Sequence, residues 1–135
     1  MNDTDHQRVA TDQFRRRMES LTSDMEAINR ELGNVNLLNI ARRTSTLLRH
    51  SKALIDGNVT VLFADTPDRV PEDLYKHIEY AEMHIRKALS EEYEFEVIKQ
   101  RLFMATAICE YVIEGVADAL TRLEARLDHT SGSPI

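Results

Sequence analysis

Residues 73 to 87 read DLYKHIEYAEMHIRK, two histidines and two tyrosines among helix-forming residues. Imidazole is a common metal ligand and the side chain most easily switched near neutrality, so chemistry is sought here first. His77 and His84 stand two helical turns apart, about 10.5 Å along an axis, so they share a face but cannot both bind one ion. The spacing builds a stripe instead: Asp73, His77, Tyr80, His84 and Lys87, immediately beside an apolar stripe. One turn separates Asp73 from His77 and Tyr80 from His84, so each pair is placed to hydrogen-bond. Amphipathic groups of this kind mark the border between core and water. The expectation is that His77, Tyr80, His84 and Lys87 recognise a protein partner, with Phe63 and Arg69 on the preceding loop as secondary contacts.

Other chemistries find less in the chain. A di-metal carboxylate bundle needs inward glutamates and Glu-x-x-His pairs, and no Glu-x-x-His occurs. In AEMH the carboxylate is two residues before His84, on a different face. Glu110 and Glu114 are correctly spaced at four, but no histidine stands near them in sequence. No metal or cofactor is therefore expected, although a metal- or cofactor-binding bundle stays as an alternative. His50, in LLRHSKALIDG, sits between Arg49 and Lys52 and could accept a phosphoryl group that its basic neighbours would stabilise. A phosphotransfer protein acting through His50 is thus a second alternative. The single cysteine, Cys109, falls on an apolar helical stripe and reads as a buried structural thiol in a reducing compartment.

The elements that must carry these residues follow from composition. Four glycines and three prolines in 135 residues, with two of the prolines at Pro67 and Pro71, leave a chain suited to helices. No run of about 18 apolar residues is present and the start, MNDTDHQR, is polar, so the expectation is a cytoplasmic protein with no membrane span. The net charge of −6 is uneven: residues 1–56 carry +1 and residues 57–135 carry −7. That split lets one half lie against the other, in one chain or between two. Overall acidity speaks against nucleic acid, despite the arginines at Arg15 to Arg17 and at Arg42 and Arg43.

Helix 1 is expected from Phe14, because Phe14, Met18, Leu21, Met25, Ile28, Leu32 and Val35 step alternately by four and three. Gly33 and Asn34 offer its stop. Helix 2, about Asn36 to Asp56, has a stripe interrupted by Thr44 and Ser51, whose hydroxyls can bond back to the preceding turn. Val59, Val61 and Phe63 alternate with Thr60 and Leu62, so GNVTVLF is expected to be a short extended strap. Helix 3 is expected to start near Pro71, a good first-turn residue, and helix 4 to run from about Glu91 to Asp128 with Ser90 as its N-cap. One continuous helix through Ser90 is the rival, since the heptad phase from Leu74 to Leu123 is unbroken. Small residues at Ala105, Gly115 and Ala119 are expected to admit a close neighbour.

These readings combine into an all-α protein: an antiparallel four-helix bundle of unequal helices, with the strap between helices 2 and 3. Residues 1–12 are expected to fray, 13–128 to form one domain and 129–135 to be a flexible tail. The narrow seam of helix 1, the excess length of helix 4 and the charge split each ask for a partner surface, so a homodimer is expected. The function read from this is non-enzymatic: an intracellular interaction module, whether regulator, adaptor or assembly factor, that presents helical faces to another protein.

Overall fold

The computed structural model describes residues 3–32, 36–67, 69–90 and 94–131. They form four helices and no strand: α1 (Asp3–Glu31), α2 (Leu37–Leu62), α3 (Arg69–Ser90) and α4 (Phe95–Ser131). The expected stop at Gly33 and Asn34 falls outside the described residues, as do residues 91–93 and the last four positions.

The apolar periodicity builds the core directly. Phe14, Met18, Leu21, Met25 and Ile28 of α1 are all buried. Each such side chain contributes roughly 1.5–3 kcal/mol of transfer free energy when taken out of water. Their partners are α2 and α4 of the same chain, so the narrow seam of α1 is occupied without a second copy. α1 begins at Asp3, and helical backbone thus occupies most of the segment 1–12 expected to fray. Arg8 reaches across to the Leu127 carbonyl at 3.2 Å and to Asp128 at 3.3 Å, while Arg15 pairs with Glu124. Asn29 meets Glu110 further along the same pair of helices. Basic first half and acidic second half therefore meet inside one chain.

α2 starts where expected, with the Asn36 side chain accepting from the Asn39 amide at 3.0 Å. It does not stop at Asp56. The expected strap over Val59 to Phe63 is helix up to Leu62, and the Phe63 amide still bonds the Val59 carbonyl at 3.2 Å. The helical phase explains this: Ile55 and Leu62 are two turns apart and both fully buried, and Val59 packs against the same core. Asn58 closes on the Leu54 carbonyl at 2.8 Å, so neither it nor Gly57 interrupts the helix. Within α2, Ser51 bonds the Leu47 carbonyl at 2.8 Å as expected, but the buried Thr44 hydroxyl has no hydrogen-bond partner among the described residues.

The turn from Phe63 to Pro67 is pinned to α4 by Arg126, which pairs with Asp65 at 2.7 Å and donates to the Val61 carbonyl at 3.1 Å. α3 begins at Arg69, so Pro71 lies in its first turn, where no intrahelical N–H bond is lost. α3 and α4 are separate helices: the continuous alternative fails between Ser90 and Phe95. Ser90 closes α3, and it is the Glu94 carbonyl that receives the first amides of α4, from Val97 at 2.9 Å and Ile98 at 3.1 Å.

At 37 residues α4 is the longest helix, about 55 Å at 1.5 Å per residue. It packs against α1, α2 and α3, whereas α1 and α3 do not meet among the described residues. At Gly115 α3 packs tightly: a Cβ there would lie 2.7 Å from a Leu74 methyl. No helix among the described residues is long and apolar enough to cross a membrane.

Candidate functional site

The stripe read on α3 lies along its boundary with α4. His77 Nδ1 is 2.8 Å from the Asp73 carbonyl, and because a carbonyl can only accept, this nitrogen carries the proton. The Asp73 carboxylate stands 3.5 Å from the same nitrogen and accepts the Tyr111 hydroxyl at 2.6 Å. The His77 and Tyr111 rings stack at 4.3 Å between centroids. Asp73, His77 and Tyr111 thus form one cluster joining the first turns of α3 to the middle of α4. Its hydrogen bond to Asp73, with lesser contributions from desolvation and the same negative charge, holds the Tyr111 hydroxyl protonated to higher pH than usual.

His84, two turns further on, is held the other way round. Arg101 of α4 approaches its Nδ1 at 3.3 Å, and a guanidinium only donates, so this nitrogen is the unprotonated one. Desolvation first, then the charges of Arg101 and Lys87, lower the pKa of His84 below its ordinary value. The expected Tyr80–His84 pair does not form this way: Arg101 takes the histidine, and Tyr80 points outward with 57% of its surface exposed.

Across the seam α4 contributes residues that the sequence reading missed. Met104 and Tyr111 are large apolar side chains left 52% and 46% exposed, and Ile108 between them is half-buried. Contacts of Asp73 with Tyr111 and of His84 with Arg101 bracket Tyr80 and Met104, which fall at one level along the two helices, nearer the His84 contact. The signal was present as a seven-residue step from Met104 to Tyr111, off the buried stripe of α4. Without knowing that α3 packs beside it, nothing tied that step to His77 and His84.

At the Tyr111 end the seam widens into an open cleft of about 690 Å³ over Gly115, walled by Arg69, Glu72, Asp73 and Lys76 on one side and Glu114 and Asp118 on the other. Arg69 is exposed at this end, as a recognition residue must be. Phe63 is not: it is 6% exposed and belongs to the core, so its expected role in partner contact is corrected. The strap that was to display it is the last turn of a helix, which folds its ring inward.

His50 lies on a different face, between α1 and α2, exposed beside two shallow clefts that include Arg17 and Arg42. Cys109 is fully buried and its thiol is pushed up to about 12, by desolvation first and Glu110 second. No group of three or more His, Cys, Asp or Glu side chains among the described residues is arranged to hold a metal ion.

The described residues form a four-helix all-α fold whose α3–α4 seam carries aromatic and charged side chains. Comparison with protein-family models, curated proteins and solved structures finds no match to the chain.

Proposed function

We propose that this protein is a non-enzymatic helical interaction module, an antiparallel bundle that works by presenting the α3–α4 seam to another protein. One observation carries the reading: Tyr80 of α3 and Met104 and Tyr111 of α4 are each about half exposed, on two helices joined by the contacts of Asp73 with Tyr111 and of His84 with Arg101. Aromatic, methionine and arginine side chains are the types enriched where proteins bind proteins, and scattered single exposures would carry no such meaning. The antiparallel arrangement is supported by contacts whose residue numbers fall on α4 as they rise on α1 and on α3. A cytoplasmic, reducing setting is supported by the lone buried thiol.

The test is position-specific photo-crosslinking. A photoreactive residue replacing Tyr80 or Met104 should capture protein in cells, while the same group at the exposed Ser23 of α1 should not. Equal capture at all three positions, or none at 80 and 104, would sink the reading.

A further inference from the structure

We infer that the occupant of the seam is a second copy of this chain, docked on the same face about a twofold axis through Tyr80 and Met104. This rests on the interaction-module reading and gives it a partner. The warrant is a charge pattern that is its own complement. Asp73 and Lys87 lie equally far from Tyr80 on either side, two turns each or about 10.5 Å. Turning one copy over on the other therefore brings Asp73 of each against Lys87 of its mate, and Tyr80 against Tyr80.

Tyr111 marks the end of the seam beside Asp73, and Arg101 marks the end beside His84, with Met104 between them. The Asp73 end is acidic, four carboxylates to two cations around the cleft of Glu114 and Asp118. On α3 the other end is basic, with Arg86 and Lys87 exposed and His84 beside Arg101. An isologous twofold contact pairs each end with its opposite, whereas a parallel stacking of two seams would set like charges together. At the axis, two tyrosines and two methionines bury apolar surface and make sulfur–aromatic contacts.

Two helices side by side over this length offer roughly 450 Å² per copy, so the pair buries about 900 Å² in all, under the range of tight permanent interfaces. The dimer is consequently weak and concentration-dependent.

Sedimentation equilibrium from about 10 µM to 1 mM reads it directly. The unaltered protein should pass from monomer to dimer across that range. Lys87→Asp and Asp73→Lys should each weaken self-association by at least about tenfold, because each sets like charges at both ends of the contact. Mixing these two variants should restore a one-to-one dimer, since every pair across the axis is then opposite in sign. Circular dichroism monitors the fold, and if Asp73→Lys loosens α3 by losing Tyr111, Lys87→Asp and Tyr80→Glu at exposed side chains make the test alone. A monomer at every concentration overturns the second copy, as does a dimer indifferent to both of those variants. Crosslinks from position 80 then separate the two ideas: capture of a different protein retains the module and discards the dimer, and no capture discards both.

Discussion

Among single residues, Thr44 and His84 make the sharpest statements. Thr44 is fully buried in α2 with its hydroxyl unpaired among the described residues, and a buried unsatisfied hydroxyl costs about 1–3 kcal/mol. Thr44→Val keeps the shape and removes that cost, so it should raise stability by about 1 kcal/mol, read as a higher denaturation midpoint at unchanged slope. His84 predicts an acid sensitivity. Its pKa is lower in the folded chain than in the unfolded one, so the unfolded state binds more protons and stability falls as pH drops through the ordinary histidine value of 6.5. Above that value the group is neutral in both states and contributes no slope. Thermal melts from pH 7.5 to 5 should therefore fall less steeply for His84→Gln than for the parent protein; identical slopes would remove His84 as a cause. The thiol of Cys109, held near 12 and fully buried, belongs to the packing of α4.

Helices were legible where a periodic stripe spoke for itself. α1 from Phe14 onward needed only its alternation of four and three, and a break was expected at Ser90, although Ser90 ends α3 instead of capping α4, which starts at Phe95. The misreading at Val59 to Phe63 shows what local pattern lacks. Alternating β-branched residues after Gly57 favour an extended segment, and only the burial of Leu62 and Phe63 against the rest of the bundle makes the helical phase win. In the same way His77, Tyr80, His84 and Lys87 could be read as one stripe, but Met104, Tyr111 and Arg101 could not be joined to it until α4 was known to lie alongside. Gly115 shows the element-level consequence of that packing. A larger residue there drives into Leu74, so Gly115→Val should destabilise by about 1–3 kcal/mol and push α3 off α4, whereas for Gly115→Ala a gain of about 1 kcal/mol in helix propensity offsets the shift of one flexible methyl. Chemical denaturation of both variants checks the contrast. A Val variant as stable as the parent would mean that the two helices are not held this closely.

For the molecule as a whole, three features that asked for a partner are answered inside one chain. The α1 seam is covered by α2 and α4, the long α4 is flanked by all three other helices, and Arg8 and Arg15 spend their charge on Asp128 and Glu124. Among the described residues, the α3–α4 pair leaves Tyr80, Met104 and Tyr111 about half exposed. α4 also governs the order in which this architecture can arise. Because α1 and α3 do not meet among the described residues, the three helices made before α4 have α2 alone to gather round, and the groove they form has no filling. At about 5–20 residues per second the 37 residues of α4 take roughly 2–7 s to make. For those seconds Met18, Ile28, Leu48 and Ile78 belong to an unfinished surface, with the helix that completes it still to be made.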